Sequence, residues 1–362
     1  MVGAPRLVAS PKNLAYYISG HGFGHYARSI PVLKQLVADF KVHIKSEIKE
    51  SLFTKFLKKN ICYWPQSVDT GCRHSTSLKV DSEETFKCFN DFQNHSTLEA
   101  EKFWLQKNQI ALVLSDVASM PVKAACDLGI PSILIGNFTW HDIYSHLPGA
   151  EEHKYLLQGL EEEYRCADLH ILPQCHLPPL QIGKSKEVGF LAQQGQNIRK
   201  DLEQHLDICF ADKKLIFIYL GEYGTNSVLW DNLFQHKDCL YLTRDPIIES
   251  VSGLHILDSR FDFPDLIASV DVVCTKGGYS TLGSAFANHK PVITCERHDF
   301  YEFEAIREYL LKTQTGVIIA DEDFYQGHWQ AAIKTALSLT VKDKIPLNGE
   351  IEILETVHQM LL

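Results

Sequence analysis

Short apolar runs, each followed by a turn and an amphipathic stretch, recur along the whole chain. Buried strands of a parallel sheet are apolar on both faces, and the helices that connect them cover the sheet. In the first half, the predicted strands cover residues 14–18, 42–44, 111–114, 132–135 and 169–172. In the second half, they cover residues 215–220, 239–243, 254–257, 270–274, 291–294 and 316–319. This pattern predicts an α/β fold with two mainly parallel sheets.

A segment rich in proline and glycine, residues 173–189, separates the two halves. Such a composition suits a connection better than a core element. We therefore expect two facing, doubly wound, Rossmann-like domains with a cleft between them, where sheets of this kind bind ligands. The expected parts are an N-terminal domain at 1–175, a linker at 176–190, a C-terminal domain at 191–344, and a last helix at about 345–362 that packs back on the N-terminal domain.

Charge and apolar patterning exclude several classes of protein. The 35 Lys and Arg against 45 Asp and Glu give a formal net charge of −10, which argues against binding to duplex DNA. No apolar run reaches the roughly 18 residues that span a membrane, and the first residues lack the apolar core of a secretion signal. The 10 cysteines include no C-x-x-C pair, so we expect neither a zinc site nor a disulfide scaffold. A cytoplasmic globular protein is the expectation.

The first predicted strand runs into a turn with the sequence SGHGFGH at residues 19–25. The glycines, including Gly22 and Gly24, let the backbone approach a ligand, and the helix that follows points N–H groups at it. Histidine ordinarily titrates near neutrality, which suits a general base, and His25 is the candidate. Alternatively, His21 or His25 caps the helix or satisfies a buried carbonyl, or the two ligate a metal, although no third ligand with recognisable spacing lies nearby. The spacing does not match G-x-G-x-x-G, which disfavours a dinucleotide-dependent dehydrogenase.

Asp116 ends the strand that contains the run Leu-Val-Leu-Ser-Asp. Its carboxylate can orient a histidine on the neighbouring first strand and stabilise the imidazolium that forms on proton uptake. Alternatively, Asp116 caps the helix that begins near Met120.

Two strand-to-helix turns in the second half also contain glycine. Their N–H groups can contact phosphate oxygens, and a lysine and hydroxyls add charge and hydrogen bonds. The candidate phosphate-binding residues are Gly221, Gly224, Thr225, Lys276, Gly278, Ser280 and Thr281. A diphosphate bridging the two turns is the expected ligand, and ordinary tight connections are the alternative.

Taken together, these motifs resemble the N-terminal glycosyltransferase-like region of plant L-arabinokinases. They are similar, more distantly, to GT-B enzymes such as the lipid-II-forming N-acetylglucosaminyltransferase. The resemblance covers roughly residues 14–361, and its motifs are YISGHGFGHYAR at 17–28, LVLSD at 112–116, GNFTW at 136–140, KGGYST at 276–281 and NGE at 348–350.

The resemblance implies a GT-B glycosyltransferase that needs no bound metal and no cofactor besides its nucleotide-diphosphate sugar donor, with UDP as the expected nucleotide. The C-terminal domain holds the donor, and the N-terminal domain holds an acceptor of unknown identity. His25 matches the catalytic base, and Asp116 lies where related enzymes orient it. The loop 257–263 meets the base of the nucleotide. The residues expected near the donor sugar are His298, Asp299 and Glu302.

One position departs from the pattern. Many relatives carry a glutamate that binds the ribose hydroxyls after the second glycine turn, but Gly283 and Ser284 stand there in this chain. Ribose recognition is therefore altered, lost, or transferred to a residue such as Glu296. The 362 residues also leave no room for the kinase domain of arabinokinases.

Sugar transfer is the preferred function, and two alternatives stay open. The missing glutamate favours a protein that binds a nucleotide sugar without catalysis. A non-hydrolysing nucleotide-sugar 2-epimerase shares the two-domain architecture, and incubation of the donor without an acceptor would reveal an epimerised sugar.

Overall fold

The structure is a computed structural model that describes residues 11–76, 79–95, 98–221, 224, 228–235, 238–247, 251–298, 300–342 and 345–362. Two parallel sheets, each covered by helices, form the molecule. The α/β prediction with two Rossmann-like units is confirmed.

The first sheet has seven strands in the order β3-β2-β1-β6-β7-β8-β9, all parallel. A short antiparallel pair, β4 with β5, stands apart from it. The strands are β1 (Asn13–Ile18), β2 (Lys41–Ser46), β3 (Ile61–Pro65), β4 (His74–Thr76), β5 (Lys79–Val80), β6 (Ile110–Asp116), β7 (Ser132–Ile135), β8 (Leu169–Pro173) and β9 (Lys184–Val188). The helices of this half are α1 (Phe23–Asp39), α2 (Glu50–Phe56), α3 (Ser82–His95), α4 (Leu98–Lys107), α5 (Met120–Asp127), α6 (Trp140–Tyr144) and α7 (Lys154–Tyr164).

The second sheet has six parallel strands in the order β12-β11-β10-β13-β14-β15. Its strands are β10 (Lys214–Tyr219), β11 (Cys239–Thr243), β12 (Leu254–Ile256), β13 (Val272–Thr275), β14 (Val292–Cys295) and β15 (Gly316–Ile319). The helices of this half are α8 (Arg199–Leu206), α9 (Phe263–Ser269), α10 (Tyr279–Ala287), α11 (Glu302–Thr313), α12 (Asp321–Tyr325) and α13 (Gln330–Ala336). The last helix of the chain is α14 (Gly349–Met360).

In both sheets, the order in which successive strands are added reverses at the first strand. In the first sheet β1 lies between β2 and β6, and in the second β10 lies between β11 and β13. At such a switch point, the connections on either side leave the sheet in opposite directions and open a crevice at the carboxyl ends of the strands. The topology therefore makes the ends of β1 and β6 in one sheet, and of β10 and β13 in the other, the candidate positions for a ligand site.

Helix α1 packs on the first sheet because one of its faces is apolar. Ile30, Leu33 and Val37 recur at helical spacing and lie in one core with Leu14 and Tyr16 of β1. Burial of each such side chain contributes about 1.5–3 kcal/mol. This packing fixes the start of α1, and with it the glycine turn, at the end of β1.

The chain crosses between the two sheets at two segments that lie against each other. The Phe190 N–H donates to the Pro346 carbonyl at 2.9 Å. A Cβ on Gly349 would lie 2.1 Å from the Gly189 carbonyl oxygen, so only glycine permits this approach. Lys184–Val188, inside the segment expected to be a linker, is the edge strand of the first sheet.

After the second crossing, α14 lies on the first half of the molecule. Its Ile353 and Val357 are buried in the core of β1 and α1. His358 Nε2 lies 3.0 Å from Asp39 Oδ2 at the end of α1. Within the described residues, the structure contains no helix with the length and apolar character that a membrane crossing requires.

Candidate active site

His25 and Asp116 lie at the switch point of the first sheet. Ile18, the last residue of β1, pairs in register with Asp116, the last residue of β6. The chain then turns at Gly22, whose φ of 80° favours glycine, and enters α1 with His25 in its first turn. His25 Nδ1 lies 3.0 Å from Asp116 Oδ1. The parallel pairing of the two strands therefore brings the histidine to the aspartate.

The Asp116 carboxylate is buried and receives several donors. Arg28 Nε donates to Oδ2 at 3.1 Å, Arg28 Nη2 donates to Oδ1, and the Ser29 hydroxyl donates to Oδ2 at 3.2 Å. Burial by itself would raise the pKa of Asp116, but the Arg28 guanidinium and His25 more than offset it and lower the pKa to about 2. Asp116 is therefore an ionised carboxylate at neutral pH.

Arg28 was not among the predicted site residues, although it lies three positions after His25 and so on the same face of α1. Its Nη2 lies 2.9 Å from His25 Nδ1, and its Nη1 donates to Asn137 Oδ1. Asn137 Nδ2 in turn donates to Glu302 Oε1 at 2.7 Å. Because Glu302 begins α11, this chain of contacts joins the two halves of the molecule.

A second carboxylate, Asp69, lies close to the glycine turn. The Ser19 hydroxyl and the Trp140 indole N–H each donate to it at 2.9 Å. Burial raises the pKa of Asp69 to about 6, partly offset by the charge of His25 and by these donors. Sequence reasoning missed Asp69, because no motif connects it to the turn.

His21 stands between aromatic and cationic neighbours. Its ring lies 5.3 Å from that of Trp140 and stacks at 5.6 Å on His74. Burial, together with the positive charges of Lys276 and Arg73, lowers the pKa of His21 to about 3. His21 is therefore neutral at physiological pH and lines the turn as an uncharged ring.

In the second sheet, the turn after β10 is held by an aspartate. The buried Asp245 accepts the N–H groups of Leu220 at 2.5 Å and of Gly221 at 3.1 Å. Burial raises the pKa of Asp245 to about 6, and the backbone donors and Lys276 oppose this rise. A Cβ on Gly221 would lie 3.3 Å from Lys276 Nζ. The turn therefore has the expected ammonium group of Lys276 beside it. The Gly221 N–H, which was expected to contact a phosphate, donates instead to Asp245.

The turn after β13 touches the first glycine turn directly. The Ser280 hydroxyl donates to the Gly24 carbonyl at 2.6 Å. Gly278 is the N-cap of α10, and Thr281 in its first turn is buried. The structure therefore brings Gly24 and Ser280 together at the contact between the two halves, as it does Asn137 and Glu302.

Of the remaining predicted site residues, Gly22 belongs to the first glycine turn, Gly224 belongs to the turn after β10, and two are not described. Gly22 and His298 are exposed. The Gly224 N–H donates to the Gly221 carbonyl at 3.0 Å. Thr225 and Asp299 lie outside the described residues.

The position at which the resemblance implied a glutamate is closely packed. A Cβ on Gly283 would lie 3.3 Å from both Ala192 Cβ and Phe190 Cδ1, and Ser284 is buried. Glu296 Oε1, the other candidate for ribose recognition, lies 3.3 Å from Arg307 Nε. In the described part of the chain, no three His, Cys, Asp or Glu side chains group as metal ligands.

No model of a known protein family matches the chain. L-arabinokinase of Arabidopsis thaliana is 27% identical over 352 residues, which are 94% of this chain and 34% of that protein. The chain thus spans about a third of this curated relative.

Several solved glycosyltransferases have a similar structure over nearly the whole chain. The glycosyltransferase of kitacinnamycin matches 97% of this chain and 100% of its own, with TM-score 0.66 and 14% identity. A UDP-glucosyltransferase from Polygonum tinctorium matches 98% and 99%, with TM-score 0.66 and 15% identity. MurG of Acinetobacter baumannii matches 96% and 100%, with TM-score 0.60 and 15% identity. The chain therefore has the two-domain GT-B fold of these glycosyltransferases.

Proposed function

We propose that the protein transfers a sugar from a nucleotide-diphosphate sugar to an acceptor hydroxyl or amine. The observation that carries this proposal is the 3.0 Å contact between His25 and Asp116 at one switch point, facing the glycine turns of the other sheet. The similar structures include a UDP-glucosyltransferase, which makes UDP-sugars the first donors to test.

The chemistry follows from the two sides of this contact. Asp116 accepts a hydrogen bond from the Nδ1–H group of His25, which leaves the lone pair of Nε2 free to take the proton of the acceptor. The acceptor oxygen or nitrogen then bonds to the anomeric carbon as the bond from that carbon to the diphosphate oxygen breaks. Lys276 and the N-terminus of α10 stabilise the charge on the departing nucleoside diphosphate. No metal ion is needed in this scheme.

The first experiment identifies the donor. A ligand that binds the folded protein raises its melting temperature, so UDP-, GDP-, dTDP- and ADP-sugars are compared in a thermal-shift screen. We expect one nucleotide class to raise Tm and then to support transfer to a mixture of acceptors.

The second experiment tests the base. His25→Ala is expected to lower transfer by about 10²- to 10⁴-fold and to keep the Tm shift produced by the donor. The control is His328→Ala, because His328 is an exposed histidine of the second half that pairs with Asp323. Full activity in His25→Ala would show that His25 is not the base.

A second candidate is a protein that binds a nucleotide sugar and does not transfer it. The closed position at Gly283 and Ser284 favours it, because no carboxylate is available there for the ribose. Calorimetry that shows donor binding, with neither donor hydrolysis nor transfer to any acceptor, would establish this function instead.

A further inference from the structure

A buried chain of polar contacts leads from the first sheet's site to the second half of the molecule. It runs from His25 and Asp116 through Arg28 and Asn137 to Glu302. Arg28 is 3%, Asn137 1% and Glu302 8% exposed. A buried polar group is costly unless its hydrogen bonds are made, so the orientation of each side chain in this chain of contacts is determined by its neighbours.

Two groups compete for His25 Nδ1. Asp116 Oδ1 lies 3.0 Å and Arg28 Nη2 lies 2.9 Å from this nitrogen. An ionised carboxylate only accepts hydrogen bonds, and a guanidinium only donates them. With its proton on Nδ1, neutral His25 bonds Asp116 and has a lone pair on Nε2. With the proton on Nε2, it bonds Arg28 and cannot act as a base there.

The orientation of Arg28 decides between these two tautomers. The guanidinium is planar and rigid, so contacts at Nε and Nη1 fix the position of Nη2. Nε donates to Asp116 at 3.1 Å, and Nη1 donates to the amide oxygen of Asn137. While both contacts hold, Nη2 donates to Asp116 Oδ1, the same oxygen that lies 3.0 Å from His25 Nδ1. The guanidinium is thereby bound to the carboxylate, and Asp116 Oδ1 is left as the acceptor for the Nδ1 proton of His25.

Glu302 fixes the orientation of the Asn137 amide. Its carboxylate can only accept, so it requires the Nδ2 group of Asn137, which it receives at 2.7 Å. The amide oxygen is then left for Arg28. A flipped amide would direct Nδ2 at the guanidinium, where two donors would face each other.

We propose that Glu302 is a positioning residue that acts through Asn137 and Arg28 to keep the proton of His25 on Nδ1. Because Glu302 belongs to the second half of the molecule, the base is prepared only while the two halves are in contact. This role rests on the proposed function of His25, and it differs from the contact with the donor sugar that the resemblance implied for Glu302.

The direct test is the tautomer of His25, measured from the ¹⁵N shifts of its two ring nitrogens without donor or acceptor. The His25→Gln variant assigns the signals. In the wild type we expect a protonated Nδ1 and an unprotonated Nε2. In Glu302→Ala we expect the two ¹⁵N shifts to converge or exchange.

Three variants separate positioning from a general loss of structure. Glu302→Gln keeps an oxygen that accepts from Asn137, so it should restore the wild-type shifts. Asn137→Ala removes the same connection from the side of the first half and should change the ¹⁵N shifts in the same way. It takes the place of Glu302→Ala if that variant does not fold. The control is Glu304→Ala, because Glu304 is an exposed carboxylate on the same helix and should leave the shifts unchanged.

Kinetics supply the second readout. In Glu302→Ala we expect kcat to fall about 10- to 100-fold and the donor KM to stay within about twofold, with recovery in Glu302→Gln. Unchanged His25 shifts in folded Glu302→Ala, or a raised donor KM with those shifts unchanged, would overturn the positioning role. A changed tautomer in a protein that transfers no sugar would refute the proposed function and leave the positioning role standing.

Discussion

The two switch points have the same topology, but Asp116 at the first and Asp245 beside the second have pKa values shifted in opposite directions. In the first sheet, Asp116 is paired with Arg28 and His25, and its pKa falls to about 2. In the second, Asp245 is buried against backbone N–H groups, and its pKa rises to about 6. The difference shows that the side chains around each carboxylate, and not the shared topology, determine its charge. Asp116 is paired with a guanidinium and an imidazole, whereas Asp245 holds the turn after β10 in place.

The largest effect should come from removing the charge of Asp116. Asp116→Asn leaves Arg28 buried without its counter-ion, so the free energy of unfolding should fall by about 3–5 kcal/mol. It also replaces the carboxylate by an amide that can present its N–H group to Nδ1 and so favour the wrong tautomer of His25, and transfer should fall about 10³- to 10⁴-fold. Denaturant unfolding and transfer rates measure the two effects. A loss of stability with full transfer would separate Asp116 from the reaction.

In the second half, Lys276→Ala tests whether the ammonium group of Lys276 binds the donor diphosphate. Lys276 Nζ lies close to Gly221, and a hydrogen bond from a charged group contributes about 1.5–3 kcal/mol. We expect a loss in donor affinity of about 10- to 100-fold by calorimetry. Lys312→Ala, which removes an exposed lysine of α11, is the control. Unchanged donor affinity would contradict the assignment.

The opposite pKa shifts of the two carboxylates predict opposite dependences on pH. Asp116, with its lowered pKa, stabilises the fold above about pH 4, and this contribution is lost as pH falls toward 2. Asp245, with its raised pKa, favours the folded state while protonated, and this contribution is lost as pH rises from 3.8 through about 6.

For Asp245, the difference between 3.8 and about 6 corresponds to about 3 kcal/mol. The difference in unfolding free energy between Asp245→Asn and the wild type should therefore grow by about 3 kcal/mol in favour of the variant as the pH rises from 3 to 7. Urea unfolding across this range measures the gain. Parallel curves for the two proteins would mean that Asp245 does not titrate in this way.

The smallest effect is expected for Ser280→Ala, at the contact between the two glycine turns. The lost hydrogen bond to Gly24 is exposed and should reduce the unfolding free energy by about 0.5–1 kcal/mol. Ser338→Ala, which removes a hydroxyl bonded to the Thr335 carbonyl, is the control. A more than tenfold loss of donor affinity in Ser280→Ala would show instead that this hydroxyl leaves Gly24 for the donor.

The sequence predicts the buried strands well because each carries its own signal. Residues 132–135, 239–243 and 316–319 are strands with the predicted bounds. The edge strands Ile61–Pro65 and Lys184–Val188 were missed, because an edge strand is partly solvated and needs no continuous apolar run.

The candidate site was predictable only where a motif marks it. The glycine turn identified His25, and the end of an apolar strand identified Asp116. Arg28 and Asn137 lie inside quoted motifs, but a sequence does not say which buried polar groups meet. The resemblance pointed to Glu302 as a neighbour of the donor sugar, but not to its contact with Asn137. That contact and the place of Asp245 depend on elements far apart in the chain, which local spacing cannot reveal.

The two crossing segments at Gly189 and Gly349 restrict how the two halves, here called lobes, can move. Two connections, here called tethers, that touch at one point permit a hinge motion but resist rotation of one lobe about the other, so opening should separate the glycine turns while the tethers stay in contact. They also limit protein engineering. A chimaera that exchanges the second lobe must cut the polypeptide at both tethers, since α14 remains docked on the first lobe.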